Sequence, residues 1–344
     1  MARTPHHAAA GFSLLELIVA SALLSIMALA VSTLSVSGAQ GQEYAGRLNR
    51  VTELTQDVVD KMRLELVSSV RLFGNDAEGT GNLALLDLGG APAPLSGSTL
   101  PTVSPAASIR TDTVSNRITG NSLFFTKLAW TDRFVCTSGR DYLVDVYRWV
   151  YYYLTPVDGG PTPTRAVGLD LARVLSEPLA DASAIDRITD PDDLAEVLEH
   201  LHEATADADG VVHAACEVVW QRGGDPTAVG TFRQIEDTVF TLSDDPVDGR
   251  PDPWVIQRND ADSHGLLAYR HHSVATIYSQ ANYGVGRYGW VTTSGSGFPH
   301  GLEVQVVGPS SARQVLLHLV VASTSRRGRP AWSDLQVVVD GRDL

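Results

Sequence analysis

Two hydrophobic patterns divide this chain. From Phe12 to Gln40 the residues are apolar or small, and Glu16 is the only formal charge among them. The uncharged stretch Leu17–Val36 would measure about 30 Å as a helix, the thickness of a bilayer's hydrocarbon core. Beyond it the spacing becomes amphipathic. Leu48, Val51, Val58, Met62 and Leu66 recur at helical intervals, with Glu43, Arg47, Arg50, Asp57, Lys61 and Glu65 largely between them. No proline interrupts Phe12 to Phe73, so the pattern predicts one helix over 12–73, a rod of about 90 Å. Gly38, Gly41 and Gly46 would soften its middle, and Gly74, Asn75 and Asp76 supply stop signals.

Residues 74–120 are rich in Gly, Pro, Ser and Thr and read as a long irregular crossing. Strand-like runs then dominate: 122–130, 142–154, 211–220, 302–307, 313–324 and 334–340. In 211–220 the even positions Val212, Ala214, Cys216, Val218 and Trp220 form one apolar face, which points Cys216 inward. One further helix is marked by Asp190 as its cap, Pro191 in its first turn, and Leu194, Leu198 and Leu201 along one side. The expected fold class is α+β, a long N-terminal helix followed by a large, mainly antiparallel β domain over 74–344.

Composition narrows the function classes. The 344 residues carry a formal charge of −14, with 44 % hydrophobic and 19 % charged residues, enough apolar content for a real core. So acidic a chain is a poor nucleic-acid binder, because that affinity comes from Lys and Arg releasing phosphate counterions. Only Lys61 and Lys127 are lysines, a compositional bias and not a binding surface. The two cysteines, Cys136 and Cys216, permit one disulfide outside the cytosol and serve equally well as buried small hydrophobes. No small-residue cleavage site follows the apolar run. Ala8, Ala9, Ala10 and Gly11 precede it, which fits a retained membrane helix better than a removable secretory signal. Charge does not settle its orientation, since Arg3 precedes the span while Arg47, Arg50, Lys61 and Arg63 follow it.

Candidate chemistry is thin. Gly284, Gly286 and Gly289 satisfy G-x-G-x-x-G, but the turn-rich stretch after them is no helix start. His271 and His272 would alternate sides of a strand, and His200, His202, His213 and His264 show no ligand-like spacing. Asp244, Asp245, Asp248 and Asp252 could approach a calcium ion, although the spacing is not that of an EF-hand and the neighbouring prolines suit an exposed turn. No nucleophile elbow or P-loop is present. The expectation is a protein that is not an enzyme.

Gly11 followed by Phe12, Ser13, Leu14, Leu15, Glu16 and an apolar helix resembles the prepilin signature of type IV pilins and type II secretion pseudopilins. The resemblance implies a leader, 1–11, removed by a prepilin peptidase between Gly11 and Phe12, with methylation of the new Phe12 amine. It implies a membrane segment over 12–36, held in the inner membrane before assembly and in a periplasmic or surface filament afterwards. Leu14, Leu15, Leu17, Ile18, Leu23, Leu24 and Ile26 would pack in the filament core against other pilin subunits. Glu16 would pair with the Phe12 amine of a neighbour, offsetting the expense of a carboxylate in a bilayer. Some pseudopilins carry a structural calcium, which keeps the acidic loop a candidate; no other cofactor is implied. The size of the β domain is closer to the J-type pseudopilins and W-type minor pilins than to a major pilin. Two rivals remain: a tip adhesin or substrate-binding minor pilin, and a signal-anchored extracytoplasmic enzyme in which Glu16 is incidental.

Overall fold

The computed structural model describes residues 13–86, 88, 91, 93, 94, 98–109, 118–156, 169–203, 205, 206, 212, 213, 216, 218–220, 226–228, 234–240, 272–274, 301–323, 331–341 and 343. The chain forms two compact units, 1–47 and 48–344. Helix α1, Leu14–Val67, contributes residues to both. It stops short of residue 73 because Ser68, Ser69 and Val70 are poor helix formers. Strand β1, Ser69–Leu72, takes over there.

The second unit is built on a mainly antiparallel sheet, in which Leu179–Asp181 and Val218–Trp220 form a parallel pair. After β1 comes α2, Ala77–Leu85, capped by Asp76, whose carboxylate accepts from Gly79 N. This helix falls where the composition predicted only irregular chain. Strands β2 (Leu123–Val135) and β3 (Asp141–Pro156) form a long hairpin, with Leu123 opposite Tyr152 and Val135 opposite Asp141. Strand β4 (Leu169–Ser176) pairs with β3, and β5 (Leu179–Asp181) follows. Short α3 (Ala182–Ile185) leads to α4 (Pro191–His202). Strands β6 (Thr205–Ala206), β7 (Val212–His213), β8 (Val218–Trp220), β9 (Pro226–Ala228), β10 (Gln234–Phe240) and β11 (His272–Val274) are brief. The single strand expected over 211–220 is therefore split into β7 and β8, with the buried Cys216 between them. A meander of β12 (Leu302–Val307), β13 (Arg313–Ser323) and β14 (Ala331–Gly341) completes the sheet, with β13 in the middle.

Alternation along the strands builds two cores on the two faces of the sheet. On one face Phe125, Val150, Tyr152, Leu154, Val304 and Leu317 pack with Val51, Val58, Met62 and Leu66 of α1. On the other, Phe124, Tyr147, Trp149, Tyr151, Tyr153 and Trp220 form an aromatic layer with Phe73. Phe73 stacks on Phe124 at 4.6 Å, and Trp149 meets Phe124 edge-on at 5.8 Å. The tyrosine-rich strand is thus buried on both sides, so these aromatics are core and not a surface platform. A third cluster lies under α4, which sits on the far end of the β2–β3 hairpin. Arg140 there meets Asp190 at 2.7 Å and Asp193 at 2.9 Å, and Tyr142 donates to Asp193.

Gly120 marks a tight crossing. Its N–H donates to Val304 O at 2.8 Å and its carbonyl accepts from Val304 N at 2.9 Å. A Cβ on it would stand 2.3 Å from Pro101 N and 2.5 Å from the carbonyl carbon of Leu100. Both neighbours are backbone and cannot swing aside. Gly120→Ala is therefore expected to destabilise the fold by about 1–3 kcal/mol, read as a lower thermal midpoint of the full chain in detergent.

Candidate functional site on the N-terminal helix

The first half of α1 is long and apolar enough to cross a membrane, and none of its most apolar window is buried within the chain. Leu14, Leu15, Leu17, Ile18, Leu23, Leu24 and Ile26 are all exposed, as are Met27, Leu29, Val31, Leu34 and Val36. In water a contiguous apolar surface of this kind is a liability. In lipid, or against other apolar helices, it is matched. Four hydroxyls on this stretch turn back onto their own helix. Ser21 donates to Ile18 O, Ser25 to Ser21 O, Ser32 to Leu29 O and Thr33 to Leu29 O, at 2.8–2.9 Å.

Ser13 and Glu16 form a reciprocal capping box at the start of α1. Glu16 Oε2 accepts from Ser13 N at 2.9 Å and from Ser13 Oγ at 3.1 Å, while Glu16 N donates to Ser13 Oγ at 3.2 Å. The carboxylate is also placed at the positive end of the helix macrodipole. The S-x-x-E signal for this box stands in the sequence at 13–16, and reading Glu16 only as a membrane acid passed over it. Gly11 and Phe12 lie outside the described residues.

The other sequence candidates are scattered. Cys136 and Cys216 share one core cluster, but both thiols are free. Cys136 Sγ contacts Asp193 O near the start of α4 at 3.7 Å, whereas Cys216 N donates to Leu201 O at its end at 2.7 Å. Eight residues of helix, about 12 Å, separate those two carbonyls. The disulfide that the sequence permits is therefore not formed in this structure. Burial pushes the Cys216 thiol up to about 12, helped by the charge of Asp132, so it is inert at neutral pH. Asp244, Asp245, Asp248 and Asp252, the glycine motif at 284–289, His264 and His271 fall outside the described residues. His200 packs at a tilt against Phe134 and lies 3.2 Å from Asp132, an ordinary structural contact. Among the described residues no three His, Cys, Asp or Glu side chains converge as metal ligands.

Charged clusters between distant segments also escaped the sequence reading. Glu65, near the end of α1, accepts from Lys127 at 2.7 Å, from Arg173 at 2.6 and 3.1 Å, and from the Tyr152 hydroxyl. Burial alone would raise its pKa, but the bonds from Arg173, Lys127 and Tyr152 and the Arg173 charge bring it down to about 2. At the foot of the meander, Asp343 joins Arg71 of β1 at 3.1 Å to Arg313 of β13 at 2.9 Å, and Arg71 also grips Glu78 of α2. Both tie distant segments of one core together. Neither presents a nucleophile or an open acid–base pair.

The family model described as the prokaryotic N-terminal methylation motif matches residues 6–32. That range covers the start of α1 and most of its exposed apolar stretch, and none of the sheet. No curated protein and no solved structure matches the chain. The N-terminal segment thus combines a prepilin-type methylation motif with a helix of membrane length, which supports a pilin-like role, processing by a prepilin peptidase and anchoring in a membrane.

Proposed function

We propose that this chain is a large minor pilin or pseudopilin. Residues 1–11 are its leader, 12–36 anchor it in the inner membrane, and the processed helix packs into a type IV pilus or a type II secretion pseudopilus at or near the tip. Its work is structural and assembly-initiating. The observation that carries this reading is the methylation motif set on a helix whose apolar side chains are exposed all round. A helix of that kind needs lipid first and other helices later, and a filament of pilin subunits supplies both in turn. The large β domain supports a minor subunit, since it adds bulk that a repeating shaft subunit does not require.

In this reading Glu16 has two successive roles. In the single chain Ser13 holds its carboxylate, which lowers the expense of placing an acid at the membrane edge. In the filament the methylated amine of a neighbouring Phe12 supplies a cation for the same oxygens.

Co-expression with a prepilin peptidase, followed by intact-mass measurement, tests the proposal. The expected product begins at N-methylated Phe12. A chain that stays full-length, or that is cut beyond residue 30, overturns it.

A further inference from the structure

We propose that the C-terminal meander is closed by a proton-dependent latch, in which His318 of β13 shares two protons with Glu303 of β12 and Asp334 of β14, and in which loss of one proton releases β14. His318 lies mid-strand and is fully buried. Its Nδ1 is 2.6 Å from Glu303 Oε2 and its Nε2 is 2.8 Å from Asp334 Oδ1. Glu303 stands directly opposite His318 in the β12–β13 register, and Asp334 lies on the diagonal from β14, where Gln336 is the direct partner.

The proton count follows from the chemistry of imidazole. A neutral ring has one N–H and one lone pair, so it can donate to only one of two carboxylates. The other contact would then set a lone pair against a carboxylate oxygen at under 3 Å. Both bonds are made only when the three groups hold two protons, either as an imidazolium between two carboxylates or as a neutral ring with one carboxylic acid. The protons belong to the cluster and not to a single residue.

The surroundings make this cluster a latch and not merely a buried pair. His318 faces a carboxylate on either side, Glu303 from β12 and Asp334 from β14. On β13 its neighbours along the same face, Leu316 and Val320, are apolar and buried. Glu303 is almost wholly buried, and its second oxygen, Oε1, meets no donor among the described residues, so its carboxylate depends on the proton at His318. Asp334 is more open, with 22 % of its side chain exposed, and can be taken up by water. The strands differ in the same sense. β12 is bridged to Ser104 and Gly120 as well as to β13, whereas β14 pairs with β13 alone among the described residues. A repulsive contact is therefore relieved by movement of β14, which bares one edge of β13 to a strand from elsewhere.

Burial disfavours the imidazolium, but the bonds to Asp334 and Glu303 and their charges outweigh it, so the pKa of His318 stands above the ordinary histidine value. A group whose pKa is raised on folding stabilises fully below its unfolded pKa, about 6.5. That contribution is lost as pH rises through the folded value. The latch is closed in mildly acidic surroundings and loosens in alkaline ones.

Hydrogen–deuterium exchange of the full chain in detergent, from pH 6 to 9 and corrected for intrinsic rates, reads this directly. In the wild type, the opening constant of β14 amides is expected to grow by up to tenfold per pH unit above the transition, as one linked proton dictates, while β3 amides stay protected. Glu303→Gln and Asp334→Asn each present an amide N–H to the facing ring nitrogen, so a neutral imidazole satisfies both neighbours. Each variant is expected to keep β14 protected up to pH 9. Protection of wild-type β14 that is flat across this range overturns the proposal. So does a pH dependence that persists unchanged in whichever carboxamide variant folds.

Discussion

Glu16→Ala is expected to leave prepilin cleavage intact and to remove the chain from filaments. Glu16 is the sole formal charge between Phe12 and Gln40, and its carboxylate lies in the first turn of α1. An acid at the centre of a membrane helix disfavours insertion by about 2.5–3.5 kcal/mol, and less near the helix end. Within the single chain the carboxylate is met by Ser13. Removing it therefore has a small effect on the unassembled subunit. In a filament the loss of one partner from a desolvated ion pair is larger, about 3–5 kcal/mol per contact. Glu16→Gln separates the two roles, because glutamine keeps the reciprocal box with Ser13 but carries no charge. Both variants should be processed as the wild type is, with a mature mass that starts at methylated Phe12 and differs only by the substitution itself, and both should be missing from the sheared filament fraction. Normal incorporation of the glutamine variant would show that helix capping is the whole role of Glu16 and would remove the pairing with Phe12.

The second large effect is expected at Glu65. Replacement by alanine leaves Arg173, with 7 % of its side chain exposed, and Lys127, with 19 %, without the carboxylate they share. Removing the acid from a buried charged cluster of this kind destabilises by about 3–5 kcal/mol, so the denaturant midpoint of the full chain in detergent should fall markedly. The acid side adds a sign. The pKa of Glu65 is depressed to about 2, against about 4.3 for an unfolded glutamate. Its contribution is fully present above the unfolded value and is lost as pH falls from there towards 2. Wild type should accordingly lose stability more steeply than Glu65→Gln between pH 4.5 and 2. Parallel pH profiles for the two would show that the cluster contributes nothing through ionisation.

The elements that could be read from the chain were those whose pattern is local. Alternation and β-branched residues located β2, β3, β12, β13 and β14 within a few positions, and Asp190 with Pro191 marked the start of α4. The run at 211–220 misled because its alternation says nothing of where the chain turns, and the structure divides it around Cys216. The end of α1 was misjudged because absence of proline permits a helix without requiring one. Ser69 and Val70 instead enter the strand beside β2. The Glu65 cluster joins residues 65, 127, 152 and 173, and the His318 cluster joins 303, 318 and 334. Neither spacing is a motif. Each exists only because non-neighbouring segments meet in one register, which a single sequence does not encode locally. The Ser13–Glu16 box was legible and was overshadowed by the acid's unusual setting.

The hydroxyls of Ser21, Ser25, Ser32 and Thr33 bind their own backbone, and this has a mechanical consequence. Polar groups are what normally lock one apolar helix at a fixed rotation and height against another. Here these four are turned inward, and leucine, isoleucine, valine and methionine side chains dominate what the stretch exposes. If the processed helix packs as proposed, Glu16 is the one formal charge between Phe12 and Gln40, and so the group that sets the helix's height against a neighbour.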